Sequence, residues 1–319
     1  MKAGGAIPSP HVVREAIRWG ASRLEEAGIA GDEAAGEAVV LLSHCAGMAV
    51  PRLYAMADGV APASMRRFEA AIDRRREREP LQYITGTQEF MSLEFRVDRR
   101  VLIPRPETEV LVETVVEYLR ESDAAGIAGA ENAAGAAGNM PRFADVGTGS
   151  GAIAVSIARY AGCGGYALDA SEGALDVARL NARLHGVDDR LEFLNGDLLE
   201  PLAGRIGTAG LDCVVSNPPY ITREEFERLQ PEIREFEPRI ALLCDDLSGL
   251  YGRLAQQAAR ILRPGGLLAV EVGYGQADVV ARVFGASGLY GAVDRVKDLR
   301  GIDRVVRCNS NKQLHVSSM

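Results

Sequence analysis

The chain has 319 residues, 47% of them hydrophobic, which suits one large domain or two ordinary ones with a sizeable core. A formal net charge of −8 and a pI near 5.2 argue against a dedicated surface for duplex nucleic acid, which is normally basic. Five scattered cysteines without a CxxC pair indicate reduced thiols, and four histidines without metal-ligand spacing disfavour a zinc site or a histidine-based triad. Neither a signal-peptide pattern nor a membrane-length apolar run is present, so we expect a cytoplasmic protein.

Residues 1–79 are predicted to form a small helical domain. Apolar residues recur at helical spacing from His11 to Ala27, again around residues 32–42, and again from Pro62 onward. Three or four short helices of this kind form a bundle, a common design for a module that binds a partner. The last helix is crowded with arginines, which form either a local basic face or, as is more usual for a charge run, a solvated helix face: Arg66, Arg67, Arg74, Arg75, Arg76 and Arg78.

Residues 80–106 are predicted to form a hairpin and a linker. Aromatic and β-branched residues in 88–97 suit the hairpin, and a Pro-Arg-Pro sequence at 104–106 then fixes an extended turn. Helical spacing resumes at Glu107. The segment 124–140 is almost entirely Ala and Gly and cannot bury enough side chain to order itself, so we expect a flexible loop there.

Within residues 107–308, predicted strands and helices alternate with short connections. This alternation predicts an α/β domain with a doubly wound parallel sheet, and the residues from 309 to 319 read as a polar tail. The predicted strands are 143–146, 165–168, 191–194, 211–216, 267–272 and 302–306, and the predicted helices between them include 152–160, 172–185 and 251–262.

A glycine-rich turn follows the first strand of this sheet. Its glycines let the backbone turn tightly and approach a ligand, which a Cβ would block. The turn and the alanine after it fit the G-x-G-x-x-A form of the dinucleotide fingerprint, and Asp169 follows at the distance expected for an acid that accepts ribose hydroxyls. The ligand predicted here contains a nucleoside, as NAD and S-adenosylmethionine both do; alternatively, Asp169 only caps the next helix. The turn residues are Gly147, Thr148, Gly149, Ser150 and Gly151.

Asn195-Gly196-Asp197 ends the third predicted strand. Asp197 could accept a hydrogen bond from the amino group of an adenine, and Leu198 could pack on the ring. Asn-Gly-Asp is also a common turn sequence, and the two interpretations remain equally open.

Asn217-Pro218-Pro219-Tyr220 follows the fourth predicted strand and is the most informative stretch of the chain. Two prolines stop the strand abruptly and make a rigid turn at its carboxyl end, where open α/β sheets bind ligands. The Asn217 side-chain oxygen and the Pro218 carbonyl are two acceptors beside the aromatic ring of Tyr220. This arrangement suits a planar NH2 group, such as a carboxamide or the exocyclic amine of a base, although an ordinary Pro-Pro loop is the simpler alternative.

Further motifs narrow the choice among enzymes that alkylate such nitrogens. With the glycine turn, Asp169 and Asn-Pro-Pro-Tyr in this order, the chain is similar to the PrmC/HemK family, the peptide chain release factor N5-glutamine methyltransferases, over roughly residues 10–308. The motifs that add to the resemblance are Pro80-Leu81-Gln82-Tyr83-Ile84-Thr85-Gly86 with Glu89-Phe90, Leu102-Ile103-Pro104-Arg105-Pro106-Glu107-Thr108-Glu109, Pro231-Glu232-Ile233-Arg234 with Phe236-Glu237-Pro238-Arg239, Glu271-Val272-Gly273 and Asp298-Leu299-Arg300-Gly301-Ile302-Asp303-Arg304.

The resemblance implies a class I S-adenosylmethionine-dependent methyltransferase. Its fold would be α/β and Rossmann-like, with a mostly parallel seven-stranded sheet and a small all-helical amino-terminal domain that helps to dock a release factor. The methyl donor would be S-adenosylmethionine without a metal, and the substrate would be the glutamine of the Gly-Gly-Gln loop of class 1 release factors. We further expect a monomer that binds neither membranes nor, stably, nucleic acid.

The resemblance also assigns roles to residues. Some family members carry an aromatic residue where this chain has Leu198, which weakens the prediction of adenine stacking there. Arg105 and Glu107 either contact the substrate or form a local ion pair where the next helix starts. The expected catalytic residues are Asn217, Pro218 and Tyr220; those expected to bind the donor are residues 147–151 with Asp169, Asp197, Leu198 and Asn217; those expected to bind substrate are Asn217, Pro218, Pro219, Tyr220, Arg105 and Glu107.

Four alternatives remain at this point. A ribosomal-protein glutamine methyltransferase would share most of these features. A DNA or RNA exocyclic-amine methyltransferase fits the same pocket but would want a basic recognition surface, which this acidic chain does not clearly offer. A degenerate binding module would require a damaged site, and an NAD-dependent enzyme has no need for Asn-Pro-Pro-Tyr after its fourth strand.

Overall fold

The computed structural model describes residues 13–55, 59–124, 141–206 and 210–311. The predicted flexible loop, apart from Ala124, and residues 312–319 of the predicted tail lie outside the described residues. The chain divides into two compact units: a helical unit, which runs to Thr87 and also takes Gln230–Phe236, and a sheet unit, which holds Gln88–Leu229 and the chain from Glu237 onward. Nothing in the sequence pointed to the membership of the 230–236 segment in the helical unit.

The helical unit is built around apolar helix faces. Gly20 allows two helices to approach closely, because a Cβ there would lie 2.7 Å from the ring of Phe68. Leu24, Leu41 and Ile72 are fully buried in the same core. The helices of this unit are α1 (Val13–Glu26), α2 (Gly31–Ala46), α3 (Val50–Tyr54), α4 (Pro62–Arg76) and α5 (Leu81–Thr85), joined by a later segment, Pro231–Phe236, which is α10 in chain order.

One arginine of the α4 cluster is buried, which corrects its interpretation as part of a solvated face. Arg75 is 3% exposed and donates to Glu37 at 2.8 Å and to Glu232 of α10 at 2.9 Å. Arg78 pairs with the same Glu232 carboxylate at 2.6 Å. Burial of charge is tolerated here because each charge has an opposite partner.

The sheet unit confirms the predicted α/β class and its seven-stranded, mostly parallel sheet. The strand order is β5-β4-β3-β6-β7-β9-β8, with β9 antiparallel to both of its neighbours. A two-stranded sheet of β1 (Thr87–Phe90) and β2 (Leu93–Arg96) precedes it. The strands of the large sheet are β3 (Pro141–Val146), β4 (Gly164–Asp169), β5 (Leu191–Asn195), β6 (Leu211–Ser216), β7 (Leu262–Glu271), β8 (Tyr290–Lys297) and β9 (Asp303–Ser310).

Strand β8 was not among the strands predicted by position. It lies at the edge of the sheet, and of its eight residues only Tyr290 is buried. An edge strand that is mostly exposed carries weak hydrophobic patterning, which explains why its sequence gave no clear signal.

Helices cover both faces of the large sheet. One apolar core contains residues of α6 and α7, and the other contains Tyr251 of α11 and Phe284 of α12. Gly165 in β4 has no Cβ because the ring of Phe143 in β3 occupies that space, 2.4 Å from the position where it would lie. The helices of this unit are α6 (Glu109–Ala124), α7 (Ala152–Ala161), α8 (Glu172–Leu184), α9 (Arg223–Phe226), α11 (Leu247–Ile261) and α12 (Ala277–Ala286).

The strand order places a crevice in the middle of the sheet. After β3 the chain builds β4 and β5 on one side, and it then crosses to add β6 on the other side of β3. Connections diverge at such a switch point, which leaves room for a ligand beyond the carboxyl ends of the strands. The glycine turn follows β3 and Asn217 follows β6, so the fold brings both predicted motifs to this crevice.

Candidate active site

A cavity of about 250 Å³ lies at this crevice, within the sheet unit. Its walls come from the loops after β3, β4, β5 and β6, together with residues 100–102 and with Pro238, Ile240 and Ala241. The predicted site residues that line it are Gly147, Gly149, Asp169, Asp197, Leu198, Asn217, Pro218 and Pro219.

The glycine turn forms the floor of the cavity. Gly147 and Gly149 have φ angles of +73° and +55°, which residues with a Cβ rarely adopt. In the direction of a Cβ, Gly149 meets no atom within 4 Å, and Gly147 meets only the backbone oxygen of Asn217 at 4.0 Å. Both glycines therefore leave open space at the cavity that a ligand could occupy.

The other three residues of the turn shape it without lining the cavity. Thr148 and Ser150 are buried, and the Thr148 hydroxyl donates to Asp145 at 2.6 Å. Gly151 caps α7 with a φ of +80°, and a Cβ there would lie 3.0 Å from that of Ala178.

Asp169 faces the cavity with its carboxylate already oriented by the backbone. Oδ2 accepts from the Gly149 N–H at 2.9 Å, and Oδ1 accepts from the Ser171 N–H at 2.8 Å. Burial raises the pKa of Asp169, and these two hydrogen bonds oppose the rise. Ser171, not Asp169, caps α8 through a hydrogen bond from Ala174. Each carboxylate oxygen keeps a lone pair for a ligand hydroxyl.

The loop after β5 is both a turn and a wall of the cavity, so its two interpretations are compatible. Gly196 N–H and the Asn195 side chain donate to the Asp169 carbonyl, at 3.1 and 3.0 Å. Asp197 accepts from Arg253 at 2.6 Å across an exposed pair. Leu198 has a φ of +49°, which is uncommon for a residue with a Cβ.

Asn217 lines the cavity, and one side of its amide is held by a hydrogen bond. Its Nδ2 donates to the Thr108 hydroxyl oxygen at 3.1 Å. Among the described residues, nothing donates to the Asn217 side-chain oxygen or to the Pro218 carbonyl. The two acceptors identified in the sequence are therefore both available.

Tyr220 lies beside the cavity and does not line it. Its ring packs against Gly273, where a Cβ would come within 2.9 Å of it. Its hydroxyl points to the Glu271 carboxylate at 3.4 Å, and burial, followed by the Glu271 charge, raises the pKa of Tyr220.

Arg105 does not form the local ion pair with Glu107 that was one alternative. It pairs instead with Glu237 at 2.6 Å, and the Glu237 side chain is only 1% exposed. Burial raises the pKa of Glu237, while Arg105 lowers it. This bond ties the segment before α6 to the segment after the Asn217 loop. Neither Arg105 nor Glu107 lines the cavity.

Three residues for which the sequence predicted no role contact residues of the site without lining the cavity: Thr108, Asp145 and Glu271. Asp145 is fully buried and accepts from Thr148 and from the Ala154 N–H, so it braces the glycine turn. Burial raises the pKa of Asp145 and that of Glu271 to about 7. The sequence could have identified Asp145 and Glu271 as candidates. Both stand near the carboxyl end of an apolar strand, where an ionisable group is costly to bury and therefore unexpected.

Two further findings bear on the kind of site. In the described ranges, no group of three or more His, Cys, Asp or Glu side chains is arranged to hold a metal ion. No helix within those ranges is long and apolar enough to cross a membrane.

Comparison with known proteins identifies relatives of the chain over most of its length. Residues 15–86 match the PrmC N-terminal domain model, and residues 135–232 match the methyltransferase small domain model. The release factor glutamine methyltransferase of Moorella thermoacetica is 42% identical over 295 residues, covering 92% of this chain and 96% of its own. That of Geobacter sulfurreducens is 39% identical over 304 residues, covering 94% and 97%.

Among solved structures, the hMettl16 catalytic domain is similar with a TM-score of 0.51. The match covers 82% of this chain and 86% of that one at 12% sequence identity. At that identity the likeness concerns the fold alone.

Proposed function

This chain belongs to the family of release factor glutamine methyltransferases, and from that premise we propose how its cavity and the loop at Asn217 carry out the reaction. The protein is an S-adenosylmethionine-dependent protein-(glutamine-N5) methyltransferase. The observation that carries the residue-level proposal is the Asn217 amide, fixed by Thr108 on one side and free to accept on the other.

The cavity is the proposed site for S-adenosylmethionine, and the chemistry of its lining supports this proposal. Gly147 and Gly149 leave open space where a side chain would stand, and the Asp169 carboxylate can accept two ribose hydroxyls. Leu198 offers an apolar wall for the adenine, and Asp197 an acceptor for its amino group, shared with Arg253. When bound, S-adenosylmethionine supplies a methyl group on a sulfonium, which is already an activated electrophile.

Asn217 and Pro218 act on the substrate amide. An amide nitrogen is a poor nucleophile because its lone pair is delocalised into the carbonyl. Hydrogen bonds from its two N–H groups to the Asn217 side-chain oxygen and the Pro218 carbonyl orient the nitrogen and stabilise the positive charge that develops on it. Holding the nitrogen in line with the methyl group contributes much of the remaining acceleration. Tyr220 does not contact the substrate in this proposal; it fixes the loop at Asn217 through its contacts with Gly273 and Glu271.

The proposed substrate is the glutamine of the Gly-Gly-Gln loop of a class 1 release factor. The helical unit is proposed to contribute to docking of that protein, and Arg105 to keep the Asn217 loop in place through Glu237. We also propose that the enzyme acts in the cytoplasm as a monomer and needs no metal. A ribosomal-protein glutamine is the second candidate substrate, since the same amide chemistry serves both.

A methyl-transfer assay with competing substrates tests this proposal. Purified protein with labelled S-adenosylmethionine is expected to methylate a release factor, and not a release factor whose Gly-Gly-Gln glutamine is replaced by alanine. In Asn217→Ala, transfer should fall by roughly 100-fold or more because a preorganised acceptor is lost, while calorimetry should still detect donor binding.

The matched control is Asn309→Ala, which removes the same amide at an exposed position of β9, where it only donates to Gly265. It should leave transfer unchanged. Labelling of ribosomal protein or nucleic acid in preference to release factor would refute the assignment of substrate.

A further inference from the structure

Glu271 is a buried carboxylate immediately behind the Asn217 loop. It is the last residue of β7, which pairs in parallel with β6 so that Val270 lies opposite Ser216. Asn217 and Glu271 are therefore the next residues along two neighbouring strands. Glu271 is 2% exposed and does not line the cavity, so it meets the site only through other side chains.

The Glu271 carboxylate has spare acceptor capacity. Oε1 receives the Tyr220 hydroxyl at the long distance of 3.4 Å, and Oε2 is buried with no hydrogen-bond partner of normal length in the described part of the chain. Hydrogen bonding from the Thr108 side chain lowers the pKa of this carboxyl group, although no hydrogen bond of normal length joins Thr108 to Oε2. An anion buried in this way needs a donor, and Thr108 is available.

Thr108 has only one hydroxyl hydrogen, and its direction matters. In the structure the Thr108 oxygen accepts from Asn217 Nδ2, so its hydrogen must point elsewhere. If it turned toward Asn217, the amide would be favoured in the opposite orientation, with the side-chain oxygen toward Thr108 and the NH2 group toward the cavity. That orientation presents donors to a substrate NH2 and cannot bind it.

We propose that Glu271 is a positioning residue that draws the Thr108 hydroxyl hydrogen toward itself and thereby keeps the acceptor side of the Asn217 amide facing the substrate. The inference rests on the proposed function, since it concerns how the glutamine amide is recognised. It adds a relay of Glu271, Thr108 and Asn217 whose members come from β7, from the turn before α6 and from the loop after β6.

The relay makes orientation depend on the charge of Glu271. Burial raises the pKa of Glu271 to about 7; Thr108, Tyr220 and Arg304 lower it, and the nearby charge of Glu107 raises it. Above that pKa the Glu271 carboxylate accepts the Thr108 hydroxyl hydrogen, and the acceptor side of the Asn217 amide faces the substrate. Below it the protonated carboxyl becomes a donor, the Thr108 hydrogen is released, and activity should fall.

The test compares pH profiles of single-turnover methyl transfer to release factor in wild type, Glu271→Gln and Glu94→Gln. Wild type should lose rate as pH falls through about 7. Glu271→Gln should be slower by roughly 10- to 100-fold at pH 8, as expected for a misplaced catalytic group, and should have a smaller inflection near 7 than wild type. Any inflection that remains should disappear when Asp145→Asn is added, because burial also raises the pKa of Asp145 to about 7. Glu94→Gln removes a charge at an exposed position of β2 and should behave like wild type. Donor binding, measured by calorimetry, should be equal in all three.

A double-mutant cycle separates positioning from a loss of packing. Thr108→Val removes the relay hydroxyl while keeping its volume, and Glu271→Gln in that background should cost little further rate; Thr108→Ser should restore most of the rate. Additive losses, or an inflection in Glu271→Gln as large as that of wild type while wild type methylates release factor, would overturn the relay alone. Absence of methyl transfer to release factor by wild type would overturn both proposals.

Discussion

Asp145 shows how a single residue can brace the site at a cost to the fold. It is fully buried below the glycine turn, where Oδ2 accepts from Thr148 and from the Ala154 N–H. Its other oxygen, Oδ1, is buried without a hydrogen-bond partner among the residues described. Burial therefore dominates and raises the pKa of Asp145 from 3.8 to about 7, so that the folded protein holds a proton which the unfolded chain releases.

This difference predicts a pH dependence of stability that Asp145→Asn removes. Between about pH 4 and 7 the folded state binds more protons than the unfolded state, so the contribution of Asp145 to stability decreases as pH rises and is fully lost above about 7. Between pH 5 and pH 8, the free energy of unfolding of wild type should fall by roughly 2–3 kcal/mol more than that of Asp145→Asn.

Urea titrations of both proteins at the two pH values measure this gain, and other titrating groups cancel in the comparison. An equal pH dependence in the two proteins would contradict a raised pKa at Asp145. Residues of this kind escape sequence analysis because their pKa values depend on neighbours and burial, not on the residue type.

At the scale of elements, α10 is attached to the helical unit by buried charge. Glu232 of α10 accepts from Arg75 of α4 and pairs with Arg78, while Arg75 also holds Glu37 of α2. A buried arginine that loses one of its carboxylate partners keeps most of its desolvation cost. The three elements should therefore respond together to a change at Glu232.

Glu232→Gln should lower the stability of the helical unit by about 3 kcal/mol, the order found when one partner of a buried pair is removed. Trp19 is the only tryptophan in the chain, and in this unit the centroid of its ring lies 5.9 Å from that of Phe68. Its fluorescence in a urea titration therefore reports the unfolding of the helical unit. Glu235→Gln is the matched control, because Glu235 is exposed and pairs only with its neighbour Arg234 at 3.2 Å, which contributes little. Equal midpoints in the two variants would show that Glu232 does not stabilise the unit.

At the scale of the whole molecule, the five cysteines are distributed over both units, so each unit contains at least one thiol whose exposure can be followed. All five are buried and free, with Cys45 in the helical unit and Cys163, Cys213, Cys244 and Cys308 in the sheet unit. Burial raises the pKa of each thiol, that of Cys163 to about 11. Since the thiolate is the reactive form, native thiols should react slowly.

Thiol labelling across a urea series should therefore report the unfolding of each unit separately. In the absence of urea, mass spectrometry should find little modification at pH 8. With increasing urea, labelling of Cys45 should follow the Trp19 transition, and labelling of Cys163, Cys213 and Cys308 should follow loss of the sheet. Rapid labelling of Cys213 in native protein would contradict the burial of β6.

Much of the fold and part of the site follow from local sequence. The alternation of strands and helices, the glycine turn and the Pro-Pro stop after β6 depend on periodicity and backbone restriction, and both act between near neighbours. They were sufficient to predict the α/β class and to place Asn217 beside the glycine turn, which is predicted to bind a nucleoside. Only the tertiary structure decided that Asn217 meets Thr108, 109 positions away, and that Arg105 pairs with Glu237, 132 positions away. Contacts at such separations depend on how elements pack, and no local pattern encodes them.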